Sequence, residues 1–163
     1  MTENHGEYRG VGGWLAFFLV TLGILTPAFS VLSIIALGNR PDMQLGLALY
    51  PSLLPGEWIL AAITTLIAWF AVYRFLRIFN WNTVIIGIGA IWTMLLIFTI
   101  GEPSFVSVVT GVPLAEILAS MSSTDFARHI IYCSIWTLYL LKSRRVANTY
   151  CGRHPDGDAL PAA

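Results

Sequence analysis

Residues 10–39 read GVGGWLAFFLVTLGILTPAFSVLSIIALGN, thirty consecutive positions without a charge between Arg9 and Arg40. At a rise of about 1.5 Å per residue, about 20 of them cross a hydrocarbon core about 30 Å thick. The run is longer than the h-region of a signal peptide, about 7–15 residues, and Glu3 and Glu7 stand beside a lone Arg9 where such a leader would be basic. A retained membrane helix is therefore expected over residues 14–37. Within it Thr26-Pro27 removes a backbone donor, and Ser30 and Ser33 can bond back to nearby carbonyls, so a bend is expected there.

The rest of the chain agrees with a bilayer. Of 163 residues, 56% are hydrophobic and 11% charged, nine Lys+Arg balance nine Asp+Glu, and the mean hydropathy is +0.73. Soluble domains carry about 25% charge, so a water-soluble globule is excluded. Nucleic acid is an unsuitable partner, because displacing its counterions needs a basic stripe, and none exists outside a short C-terminal stretch. Cys133 lies in an apolar run and Cys151 in a polar tail, so both are expected as free thiols.

Working outward, a second uncharged run at 58–73 is extended by Leu76, Ile78 and Phe79 while Arg74 and Arg77 snorkel, giving a helix over 58–76. Asn80-Trp81-Asn82 breaks the pattern, and a third helix over 83–100 forms an antiparallel hairpin with the second. The fourth, over 122–141, starts on Ser122-Ser123-Thr124-Asp125, a capping-type signal, with Asp125 facing Arg128 and His129 at i+3 and i+4. With four spans, Arg9, Arg74, Arg77, Lys142, Arg144, Arg145 and Arg153 share one side and Arg40 and Arg128 the other. Seven against two places both termini in the cytoplasm.

Residues 103–121 then lie on the outer face. There Leu114, Ile117, Leu118 and Met121 recur at helical spacing after Pro113, opposite Glu116 and Ser120, which reads as a short interfacial helix over 113–121. The outer loop 38–57, rich in Leu and punctuated by Pro41, Pro51 and Pro55, is expected to fold onto the bundle. Tyr50, Trp58, Phe105 and Phe126 outside, and Tyr8, Trp14, Trp81 and Tyr150 inside, sit where interfacial aromatics belong. The fold class expected is all-α: an integral membrane bundle of four transmembrane helices in one domain, 1–150, with a short outer-face helix and a disordered cytoplasmic tail, 151–163.

Gly12-Gly13-Trp14-Leu15 opens the first helix, and Ser143-Arg144-Arg145-Val146-Ala147-Asn148-Thr149-Tyr150 follows the last. These ends resemble the YdgK-like family of small bacterial inner-membrane proteins, a domain of unknown function. Ser143, Arg145, Val146, Thr149 and Tyr150 match its C-terminal pattern, and Ala147 stands where a basic residue is usual. The resemblance, over about residues 12–150, implies a four-helix protein of the bacterial inner membrane and brings no activity with it. Physically, Lys142, Arg144 and Arg145 would meet the cytoplasmic headgroups as a topology anchor or a docking site. The paired glycines provide either a flexible helix entry or a close approach to the C-terminal motif.

The deep spans carry no ionisable residue, which weakens an ion-coupled transporter. Glu57, Glu102, Asp125, Arg128 and His129 all fall at expected helix ends on the outer side and form a candidate polar cluster, able to bind a cation, relay protons or act on a headgroup if they converge. Helix-end charges with Asp125 paired to Arg128 are the simpler and preferred explanation. His5, His129 and His154 lie apart, and Cys151-x-x-His154 is half a metal site, so no metal is expected; nor is any cofactor, since no phosphate loop or nucleophile elbow occurs. Ala61 with Thr65, Thr64 with Ala68, and Gly87, Gly89 and Thr93 suit close helix packing, and Trp69, Trp92 and Trp136 suit bundle filling or a lipid-facing position.

The role expected is non-enzymatic: an accessory or assembly partner of a membrane complex, embedded in lipid and in contact with other membrane proteins. Two rivals make structural demands. A small transporter or channel requires Thr21, Thr26, Ser30, Thr64, Thr93 and Ser134 to line one path, and an interface enzyme acting on lipid or envelope substrates requires Glu57, Glu102, Asp125 and His129 to converge.

Overall fold

A computed structural model describes residues 11–150; the expectations for the tail and for Arg9, His5, Cys151 and His154 lie outside them. The described residues form α1 (Trp14–Gly38), α2 (Pro41–Leu49), α3 (Leu53–Arg77), α4 (Trp81–Thr110), α5 (Leu114–Ser120), α6 (Ser123–Lys142) and α7 (Arg144–Tyr150), with no strand among them. Three helices, α1, α3 and α4, are long and apolar enough to cross a membrane, at 25, 25 and 30 residues. Their most apolar stretches are 22, 17 and 33% buried inside the protein, so most of that surface faces outward, as lipid exposure requires. At 20 residues α6 is also long enough, but Asp125, Arg128 and His129 in its first two turns make it the least apolar of the four.

Two wide turns interrupt the long helices. In α1 residues Thr21–Leu25 form a π-helical turn, followed by Thr26 and then Pro27; in α4 residues Ile97–Gly101 do the same, followed by Glu102 and then Pro103. A proline inside a helix lacks the N–H that would return to the carbonyl four residues back, and its ring crowds that carbonyl. Widening the preceding turn relieves the crowding without ending the helix. The bend expected at Thr26-Pro27 is thus a wide turn, and the carbonyl that Pro27 leaves without its helical donor, that of Gly23, accepts from the Trp69 indole N–H at 2.9 Å.

The second wide turn corrects the expectation that the third helix ends near Ile100. The helix continues to Thr110 and stops at Gly111, whose φ of 75° is the left-handed conformation that suits a helix end. The second helix begins earlier than expected, at Leu53 instead of 58. Between α3 and α4 the turn follows the sequence closely: the Asn80 side chain accepts from the Thr83 N–H at 3.0 Å, and the buried Thr83 hydroxyl donates to the Ile78 carbonyl at 2.8 Å. The segment 38–57, expected as a loop, carries the helix α2 and then Tyr50, whose hydroxyl donates to the Thr110 carbonyl at 3.4 Å, one of the orphans at the end of α4.

The core is aromatic at one end. Phe18 of α1, Phe75 of α3, Trp136 of α6 and Tyr150 of α7 pack edge-on or tilted, with centroids 4.8 Å apart for Phe18–Trp136, 5.8 Å for Phe18–Phe75 and 5.4 Å for Phe75–Tyr150. Gly87 of α4 makes this possible, since a β-carbon there would stand 2.3 Å from the Phe75 ring. Gly89 and Thr93 are exposed, and Gly89 has open space around it, so the packing role expected of that pair belongs to Gly87. Tyr150 is likewise a core residue, not part of an interfacial aromatic belt.

Candidate functional site

Beyond the aromatic core, toward the ends of the helices that carry Gly38, Glu57 and Glu102, the bundle opens into a cavity of about 660 Å³. Its walls come from α1, α3, α4 and α6 together. Its base is apolar, made by Leu22, Ile91, Leu95 and the buried thiol of Cys133. Both wide turns border it, so Thr26 and Glu102, the residues between each π turn and its proline, line the same space. Proline thus positions the site indirectly, by shifting the register of the residues that precede it.

Three members of the expected outer cluster meet here: Glu57, Glu102 and His129 all line the cavity. Glu57 and Glu102 lie within Coulombic reach of each other. The reason is the residue before Glu57. Gly56 is buried, and a β-carbon on it would fall within 1.9 Å of the Phe105 ring tip, so α4 can lie this close to α3 only over a glycine. Glu102 stands one turn before Phe105 and is carried in with it.

His129 is fixed by two contacts. Its Nδ1 is 2.7 Å from the Asp125 carbonyl, and a carbonyl accepts, so Nδ1 carries the proton and Nε2 is the nitrogen available to a ligand. Its ring lies 4.7 Å from that of Phe98, another lining residue. Asp125 and Arg128 stay outside: their side chains are 57 and 74% exposed and pair with each other at 3.0 Å. They carry the helix-end pairing expected of them and do not join the cavity.

Of the hydroxyls required for a polar path, Thr21, Thr26, Ser30 and Thr64 line the cavity, while Thr93 and Ser134 do not. Most are self-satisfied, donating to carbonyls of their own helices, as Ser30 does to Thr26 at 3.1 Å and Thr64 to Leu60 at 3.0 Å. Their path therefore stops at the apolar base instead of continuing through the bundle. Sequence reading missed Tyr132 and Phe98. Tyr132 lines the cavity beside Cys133, and its buried hydroxyl has no hydrogen-bond partner of good geometry among the described residues. Its i+3 spacing from His129 was the available signal.

The C-terminal motif forms a second constellation at the opposite end. Ser143 caps α7 by accepting from the Val146 N–H at 3.5 Å, Thr149 donates to the Arg145 carbonyl at 2.8 Å, and Val146 and Tyr150 are buried. The Tyr150 hydroxyl donates to the Phe75 carbonyl at 2.6 Å, one of the acceptors orphaned by the end of α3. Burial pushes the Tyr150 phenol up to about 12. Arg145 reaches back over the entry to α1, its Nη1 2.7 Å from where a Gly12 β-carbon would be and 3.2 Å from that of Gly13. Gly13 also has φ of 57°, so the paired glycines supply both a turn and a close approach. Trp14 beside them is exposed at 67% and stacks edge-on with Phe17 at 5.7 Å.

Long outward-facing apolar helices around a part-open cavity define this molecule as a helical membrane protein. The chain belongs to the family described as protein of unknown function (DUF2569), whose model matches residues 8–151. No curated protein and no solved structure matches it.

Proposed function

We propose that this is a four-span protein of the bacterial inner membrane, with α6 as the fourth span and both termini cytoplasmic, that binds a small amphipathic ligand in the outer half of its bundle. The cavity of about 660 Å³ carries this reading, since pockets of about 300–1,000 Å³ with few polar groups in an apolar wall are the usual form of ligand sites. Orientation is supported by charge: Arg74, Arg77, Lys142, Arg144 and Arg145 gather at the end holding the aromatic core, against Arg40 and Arg128 at the other. Glu102 stands about 31 Å along its helix from Trp81, which puts the carboxylates near the outer headgroup level and the base of the cavity in hydrocarbon. The two terminal motifs support the narrower YdgK-like grouping.

Among the roles considered, a carrier that takes up its ligand from the outer half is favoured over an open channel, because the hydroxyl path ends at Leu22, Ile91 and Leu95. An accessory subunit that receives such a ligand for a larger complex uses the same site. An interface enzyme is disfavoured by the exclusion of Asp125 from the cavity. The test is native mass spectrometry of the detergent-purified protein beside Ala61→Phe, which fills the cavity from one wall. Wild type is expected to retain a non-protein mass that the variant loses at unchanged helical circular dichroism. Identical spectra, with no mass retained by either, would overturn the reading.

A further inference from the structure

The charges around the cavity define what enters it. Glu57 and Glu102 bring two carboxylates to one mainly apolar chamber, and no Lys or Arg is among the described residues that line it. The cation closest to them along α6, Arg128, is turned outward onto Asp125. A carboxylate held against hydrocarbon walls is costly without a positive partner, and a second one beside it doubles the demand. Among the described lining residues His129 is the one base beside them, so a positive group on the occupant would meet the remaining demand.

A bare metal ion is a poor match. Among the described residues no three of His, Cys, Asp and Glu converge closely enough to hold one. Apart from a few hydroxyls that donate to carbonyls of their own helices, the rest of the lining, including Leu22, Phe29, Ile34 and Met94, offers carbon and sulfur where a hard cation wants oxygen. The volume is also that of a molecule with several rings, and Phe29 and Phe98 present aromatic surface to its body. We propose that the cavity is a binding site for an amphipathic organic cation, its positive group held between Glu57 and Glu102 and its apolar body lodged against Phe29, Phe98 and Leu22. The Tyr132 hydroxyl, also at the cavity wall, gives that body one polar contact. This inference rests on the reading of the cavity as a ligand site and adds the ligand's charge and class.

The experiment is calorimetric titration of the full chain in lipid nanodiscs with tetraphenylphosphonium and, separately, with the neutral triphenylphosphine oxide. Tetraphenylphosphonium is expected to bind saturably, and Glu102→Gln or Glu57→Gln to weaken it about 30-fold, as loss of one partner from a desolvated charge pair does. Glu102→Asp should keep part of the affinity, and Asp125→Asn, outside the cavity, should keep all of it. Circular dichroism checks that each variant is folded. Equal binding of both probes, unchanged by either Glu→Gln substitution, overturns the cation assignment; if Ala61→Phe still removes that binding, the cavity reading survives it. Failure of the cation to bind at all overturns the assignment too, and a pH-dependent fluorescence change that needs Glu102 without any cation binding would give the carboxylates to protons instead.

Discussion

Gly87 and Gly89 lie two residues apart on one helix and should respond oppositely to the same substitution. An alanine β-carbon at position 87 would stand 2.3 Å from Cε2 and 2.5 Å from Cζ of Phe75, whereas one at position 89 has no atom within 4 Å. Carbon atoms pack at about 3.5–4.0 Å, so the Phe75 ring must withdraw by about 1.2 Å or more. It has nowhere to go: Phe75 is fully buried, with Phe18 edge-on at 5.8 Å and Tyr150 edge-on at 5.4 Å. Overpacking of this kind costs about 1–3 kcal/mol. Replacing a mid-helix glycine by alanine returns up to about 1 kcal/mol of helix propensity. Gly89→Ala should therefore stabilise by up to about 1 kcal/mol, and Gly87→Ala should destabilise by up to about 2 kcal/mol, the clash less the propensity gain. Unfolding in detergent micelles titrated with sodium dodecyl sulfate, followed by circular dichroism, measures both. Phe75→Leu shortens the obstructing side chain, so adding Gly87→Ala in that background should cost much less than in wild type. Equal effects of the two glycine substitutions, or additivity of Gly87→Ala with Phe75→Leu within about 0.5 kcal/mol, would refute the packing argument.

Tyr150→Phe should cost about 1–3 kcal/mol, because it leaves the buried Phe75 carbonyl unsatisfied. Since burial raises the Tyr150 phenol to about 12, its contribution is complete below the ordinary tyrosine value of about 10 and is lost as pH rises toward 12; an alkaline titration of stability should show a step that Tyr150→Phe lacks. Trp69→Phe should cost about 0.6–1.7 kcal/mol, and less in a Pro27→Ala background, where residue 27 regains an N–H for the Gly23 carbonyl; an equal cost in both would refute the role assigned to the indole. Gly13→Ala should destabilise more than Gly12→Ala, even though the latter brings its methyl closer to Arg145. Backbone strain at φ 57° costs about 1–3 kcal/mol and cannot relax, whereas a guanidinium can move, so the reverse order would sink this account. Gly56→Ala drives a methyl group into Phe105 and should separate Glu57 from Glu102; unchanged tetraphenylphosphonium affinity in that variant would show that the contact does not position the carboxylates.

Much of the architecture was legible because hydropathy is a local property. The uncharged run at 10–39 needs no partner to be recognised as a membrane-length helix, and Ser122 with Asp125 states a helix start within four residues. The pairing of Asp125 with Arg128 was legible for the same reason, being one turn of one helix. What local reading could not give was the effect of proline. Pro103 looked like a helix end, yet a wide turn absorbs it and α4 runs on for seven further residues, to Thr110. Trp69 looked like bundle filling or a lipid-facing residue, because the carbonyl that needs its N–H lies 46 positions away.

The sequence by itself therefore determined the long helices, their apolar character and the set of polar residues near their ends, since each depends on spacing along one chain, but not the short helices α2 and α7. Only the tertiary structure decided which of those residues meet. Glu57, Glu102 and His129 share a cavity while Asp125 and Arg128 do not, because α3 and α4 close over Gly56 and Phe105 and α6 turns His129 inward and the ion pair out. A cavity is the space that packed side chains fail to fill, and that depends on the distances between helices, which no single segment encodes.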